Sequence, residues 1–81
     1  MTSEVQARLS KCFQSVFPEL PLAECPKASM ASLARWDSIA QVTLLVAIEE
    51  EFSVTFSPED FEELTSYGLI ADFVEGNAVH E

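Results

Sequence analysis

Apolar residues recur along this chain at helical intervals in separate stretches. In the first, Val5, Leu9, Phe13 and Val16 share a face with Cys12 beside them, while Arg8, Lys11 and Gln14 fall off it. Ser3 with Gln6 fits a capping box at its start. Pro18 and Pro21, which have no backbone N–H to donate, end it. Residues 18–35 are rich in Pro, Ala and Ser and predict a long connection containing local turns or a short helix. The second stretch, Asp37 to Phe52, carries Ile39, Val42, Leu45, Val46, Ile48 and Phe52 at spacings of three and four, with Leu44 and Ala47 filling in. Its β-branched content would also suit a buried strand, but a pattern lasting about four helical turns decides for a helix. Being apolar over so wide an arc, it is expected at the centre of the core. One feature disagrees: Glu49, Glu50 and Glu51 sit at its C-terminal end, where the helix dipole disfavours negative charge.

Ser57-Pro58-Glu59-Asp60 combines a Ser cap, a Pro in the first helical position and acids in the first turn. It predicts a short helix ending near Leu64 with Phe61 turned inward. Thr65 or Ser66 then caps a last helix with Leu69, Ile70, Phe73 and Val74 as its stripe, closed by Gly76-Asn77. The predicted fold class is all-α: a small four-helix bundle, three main helices plus one short helix, with a long loop between helices 1 and 2. Residues 1–81 form one domain, with a frayed tail from about 76 to 81.

Length and charge narrow what such a bundle does. At 81 residues, the chain buries only about 60–65% of the surface its unfolded form exposes, which leaves little room for a deep catalytic pocket. Fourteen Asp and Glu oppose four Lys and Arg, for a net charge of −10. The imbalance is lopsided: Arg8, Lys11, Lys27 and Arg35 all lie in the first 35 residues, and everything from Trp36 onward is without Lys or Arg. Such a surface repels phosphate backbones and anionic head groups, so nucleic acid and membrane are excluded as partners, and proteins with basic patches are expected. Cys12 and Cys25 match neither a disulfide framework nor a zinc pattern, and His80 does not complete one, so no metal is expected. The beginning of the chain lacks the features of a signal peptide, and no apolar run approaches the ~20 residues of a membrane span. A soluble, cytoplasmic monomer is expected.

Enzyme templates fail. There is no G-x-S-x-G elbow, Walker A motif, H-E-x-x-H or EF-hand loop, and a catalytic triad would need His80 in the tail. The position with chemical content is Trp36-Asp37-Ser38-Ile39, where the long loop enters the second helix. Asp37 and Ser38 are both good N-caps, and Ser38 with Gln41 fits a capping box. If Asp37 is the cap, Ser38 becomes the first helical residue. Its hydroxyl is then exposed at the positive end of the dipole, where an attached phosphodiester is favoured. The residues alone leave a plain cap and a modification site both open.

The stretch from Trp36 to Phe52 resembles the attachment site and recognition helix of an acyl carrier protein. The family's Asp-Ser-Leu signature stands here as Asp37-Ser38-Ile39, and the helix ends in Glu49-Glu50-Glu51-Phe52 as the family's does. Phe61-Glu62-Glu63-Leu64 and Ile70-Ala71-Asp72-Phe73-Val74 fit the same pattern, so the resemblance covers nearly the whole chain. It implies that Ser38 accepts a covalent 4′-phosphopantetheine arm from coenzyme A, its hydroxyl attacking the pyrophosphate on a separate Mg²⁺-dependent phosphopantetheinyl transferase. The arm's thiol then carries an acyl group as a thioester. The carrier itself contributes no catalytic residue. Asp37 helps position the site, Ile39 and Val42 lie near the arm and the partner surface, and Glu49 and Glu50 dock acyl-loading and acyl-processing enzymes with basic patches.

Ala40 and Thr43 stand where housekeeping carriers usually have acids, and Trp36 is a further departure, serving either packing or partner contact. The expectation is therefore a specialised carrier, of the fatty acid or polyketide kind, rather than a housekeeping one. Peptidyl and aminoacyl carriers, the alternative within the same resemblance, share the arm but typically present Gly-Gly before the serine, where this chain has Arg35-Trp36-Asp37. An unmodified acidic adaptor, with Ser38 a simple cap, is the competing reading from another class.

Overall fold

The computed structural model describes residues 3–77. His80 and the expected tail beyond Asn77 lie outside the described residues, as does the Ser3 side chain of the expected capping box. Four α-helices, α1 (Ser3–Val16), α2 (Ser38–Phe52), α3 (Pro58–Glu63) and α4 (Tyr67–Asn77), form the small all-α bundle that the periodicity predicts. The long connection after α1 contains a 3₁₀ helix, Leu22–Lys27. Pro21 precedes it in an extended conformation and Pro26 lies within it, so an α-type ladder has no amide to use there. Cys25 anchors this turn in the core, fully buried.

The core joins Leu9, Cys12 and Phe13 of α1 to Leu44, Leu45, Ile48 and Phe52 of α2, and to Tyr67, Ile70, Ala71 and Val74 of α4. Its centre is aromatic. The Phe13 ring lies 5.3 Å from Trp36, edge to face, and 5.1 Å from Tyr67. Phe17 closes the far side of the indole at 5.9 Å. Each such side chain, fully buried, contributes roughly 1.5–3 kcal/mol. A second cluster stacks Phe56 on Phe73 at 4.8 Å, with the Phe61 ring 6.3 Å away.

The apolar arcs of α2 and α4 are only partly turned inward. Ile39 and Val42, which the resemblance sets near the arm and the partner surface, are 78% and 51% exposed. With Val46 at 41% they form an outward apolar strip on α2, while Leu44, Leu45, Ile48 and Phe52 are the apolar side chains of that helix buried in the core. Leu69 is likewise exposed, and Ser66, not Thr65, caps α4 by accepting from the Leu69 amide.

The acids at the C-terminal end of α2 are held by tertiary partners. The Arg8 guanidinium donates to the Glu51 carboxylate at 2.7 Å and to the Glu51 carbonyl, and lies 4.7 Å above the Phe52 ring. A cation from α1 thus sits on the negative end of α2. Ser53 then adopts a left-handed conformation (φ 56°), and its amide and that of Val54 both donate to the Glu49 carbonyl. The Glu49 carboxylate accepts from the Phe56 amide at 2.8 Å and so shapes the turn into α3. In α3, Ser57 and Asp60 form a reciprocal capping box.

The loop before α2 is stitched to the α3–α4 junction. Ser29 pairs with Ser66 in an isolated antiparallel bridge, with Met30 donating to the Thr65 carbonyl and Tyr67 to the Ala28 carbonyl, both at 2.9 Å.

Candidate functional site

The local rules of helix starts decide how Ser38 is used. Asp37 takes the N-cap position with extended backbone, and its Oδ1 accepts from the Ala40 amide at 2.9 Å. Its carbonyl accepts the first helical bond, from Gln41, at 2.8 Å. Ser38 is therefore the first helical residue rather than the cap, and its side chain is exposed. The Ser38–Gln41 capping box does not form. At this end of α2 the amides of Ser38 and Ile39 precede the intrahelical ladder and face outward, a setting that favours an anion.

Ser38 stands on the rim of a cleft of about 460 Å³ between α2 and α3. Val42 and Phe61 line its two sides, Met30 and Thr65 come from the stitched loop and the α3–α4 junction, and Glu62 adds an acid to the rim. Gln41 lies in the cleft but is only 3% exposed. Its Oε1 accepts from Trp36 Nε1 at 2.6 Å, and its Nε2 donates to the carbonyls of Phe61 and Leu64 at 3.2 and 2.8 Å. These carbonyls at the end of α3 have no helical amide to serve them.

The other residues singled out in the sequence separate into two groups. Asp37, Ile39, Val42 and Glu50 are exposed, with Ile39 and Val42 flanking Ser38 on the outer side of α2. Trp36, for which packing and partner contact were both open, is 2% exposed and enclosed by Phe13 and Phe17, so it packs the core rather than standing on the surface with the other partner-contact candidates. Glu49 is half-buried, with one carboxylate oxygen committed to Phe56. Sequence reasoning missed Gln41 and Arg8 as structural residues. The signal for Gln41 was present, since it falls three, four and seven residues before Leu44, Leu45 and Ile48, in register with the buried face.

Neither thiol is poised as a nucleophile. Burial pushes the Cys12 thiol up to about 11, with the nearby Glu51 carboxylate adding to it. Burial also raises Cys25. No helix among the described residues is long and apolar enough to cross a membrane.

The family model described as "Phosphopantetheine attachment site" matches residues 7–74, a span that contains Ser38, the cleft and the aromatic centre. No solved structure matches the chain. The exposed hydroxyl at a helix start, with uncapped amides behind it and an apolar-walled cleft beside it, fits a phosphodiester-linked arm. The chain belongs to the phosphopantetheine attachment site family, and its cofactor is a covalently attached 4′-phosphopantetheine.

Proposed function

We propose that Ser38 is the attachment residue and that the protein is an acyl carrier of a specialised biosynthetic pathway, a cosubstrate with no catalytic group of its own. One observation carries this reading: with Asp37 as the cap, Ser38 begins α2 with an exposed side chain on the rim of the cleft. When bound, the arm supplies a terminal thiol that holds an acyl group as a thioester. The chain's residues do the presenting. Asp37 fixes the turn that aims Ser38 outward, and the outward amides at the start of α2 favour the diester's negative charge. Ile39 and Val42 offer exposed apolar contact beside Ser38 to the transferase and the acyl-handling enzymes. Glu50 and Glu62, both exposed, supply charge for basic patches, and Glu49 has only part of its carboxylate to spare. Trp36 acts from beneath, holding the loop that delivers Asp37 and Ser38.

The test is intact mass after incubation with coenzyme A, Mg²⁺ and a broad-specificity phosphopantetheinyl transferase, beside a Ser38→Ala control. A single phosphopantetheine addition on the parent alone is expected. Addition to a folded Ser38→Ala protein, or none to the parent, would overturn the assignment.

A further inference from the structure

Gln41 is a polar residue placed where the packing would accept an aliphatic one, at the inner end of the cleft that Ser38 opens onto. Its amide is fully used, accepting from the Trp36 indole and donating to two carbonyls at the end of α3. It therefore fills the gap between α2 and α3 and ties both helices to the loop. Behind it the space is occupied: Trp36 packs edge-on to Phe13, and Leu44 and Leu45 are fully buried. A chain running inward from the cleft must displace Gln41. That leaves an indole N–H and two carbonyls without partners in a site that water reaches poorly. A group resting in the outer cleft breaks none of these bonds. There it meets the apolar sides of Met30, Val42 and Phe61, while its polar atoms stay wet beside Thr65 and Glu62.

Resting on the reading that Ser38 bears the arm, we propose that the Gln41 amide closes the floor of the cleft and restricts the carried group to short acyl chains held at the surface. Long saturated chains are excluded from the interior of the bundle. Gln41 is a positioning residue in this account, acting through Trp36 and the end of α3.

The experiment compares acetyl- and octanoyl-phosphopantetheine forms of the full chain, loaded from the corresponding acyl-coenzyme A and verified by intact mass. Melting temperature and amide hydrogen exchange over residues 41–67 are the readouts. In a domain of this size, burying several methylenes raises the melting temperature by more than about 5 °C. The two forms are expected to melt within about 1 °C of each other and to exchange alike. In Gln41→Leu, whose floor no longer carries the amide, the octanoyl form is expected to melt above its acetyl counterpart. An octanoyl parent that melts well above the acetyl parent, with new protection at Leu44, Leu45 and Phe61, would overturn this inference while leaving Ser38 attachment intact. Failure of both forms to gain mass at Ser38 would overturn the attachment reading, and this inference with it.

Discussion

Replacing Trp36 by Phe keeps an aromatic ring against Phe13 but removes the indole N–H that Gln41 Oε1 accepts at 2.6 Å. Because Gln41 is only 3% exposed, the abandoned oxygen finds little water, which costs about 1–3 kcal/mol. The space left by the smaller ring adds about 1 kcal/mol. Trp36→Phe is therefore expected to destabilise by about 2–4 kcal/mol, with a melting temperature lowered by roughly 4–8 °C for each kcal/mol. Gln41→Met, similar in length, abandons the carbonyls of Phe61 and Leu64 and the indole N–H, for a comparable loss of about 2–4 kcal/mol. The bond between the two side chains can be lost only once, so the double variant should cost about 1–2 kcal/mol less than the sum of the singles. Urea unfolding followed by circular dichroism measures all four proteins, since Trp36 is the only tryptophan and its removal abolishes the intrinsic fluorescent probe. Losses that add to within about 0.5 kcal/mol would refute the network.

Two further outcomes follow from the fold. Ser53→Gly relieves a non-glycine residue held at φ 56° and should raise stability by about 0.5–1 kcal/mol. A urea midpoint that stays put or falls would refute this. The buried Cys12 thiol is raised from 9.0 to about 11, so folding favours its protonated form. Its contribution is fully present below pH 9 and is lost as pH rises towards 11, and Cys12→Ala should flatten that alkaline decline. Because burial also raises Cys25, some slope should remain, and an unchanged slope would show that Cys12 is not its source.

Local chemistry was legible in the sequence wherever the cause lay within a few residues. The Pro-terminated α1, the Ser57-Pro58 start of α3 and the short helix within the 18–35 loop all rest on backbone rules that act over one turn. The face of α2 was not legible. With apolar residues nearly all round it, periodicity does not say which side meets the core, and the exposed Val46 is not told apart from the buried Leu45 and Ile48. The end of α2 failed for a different reason. Its Glu residues conflict with the dipole until Arg8, 43 residues away, is brought onto Glu51 by packing. At the candidate site, Asp37 and Ser38 were identified with both cap arrangements open, and the side-chain bond to Ala40 chose between them. Gln41 was misread because a capping box is a local pattern, whereas its partners lie in the loop and at the end of α3.

The bridge between Ser29 and Ser66 divides the long loop into stretches of unequal tolerance. Ala28 and Met30 each spend a backbone group on the α3–α4 junction, so one extra residue between them would shift the pairing and carry Met30 out of the cleft. Ala31 and Ser32, immediately downstream, are exposed and lie in a turn. That turn closes back on the bridge: the Ser32 and Leu33 amides donate to the Ser29 carbonyl at 3.1 and 2.8 Å, and the Ser29 amide donates to Ser32 Oγ at 3.2 Å. Residues 28–33 thus have the fixed spacing of a regular element. A graft or tag introduced into this scaffold therefore belongs outside 28–33. A single insertion within 28–33 misaligns the segment that delivers Ser38.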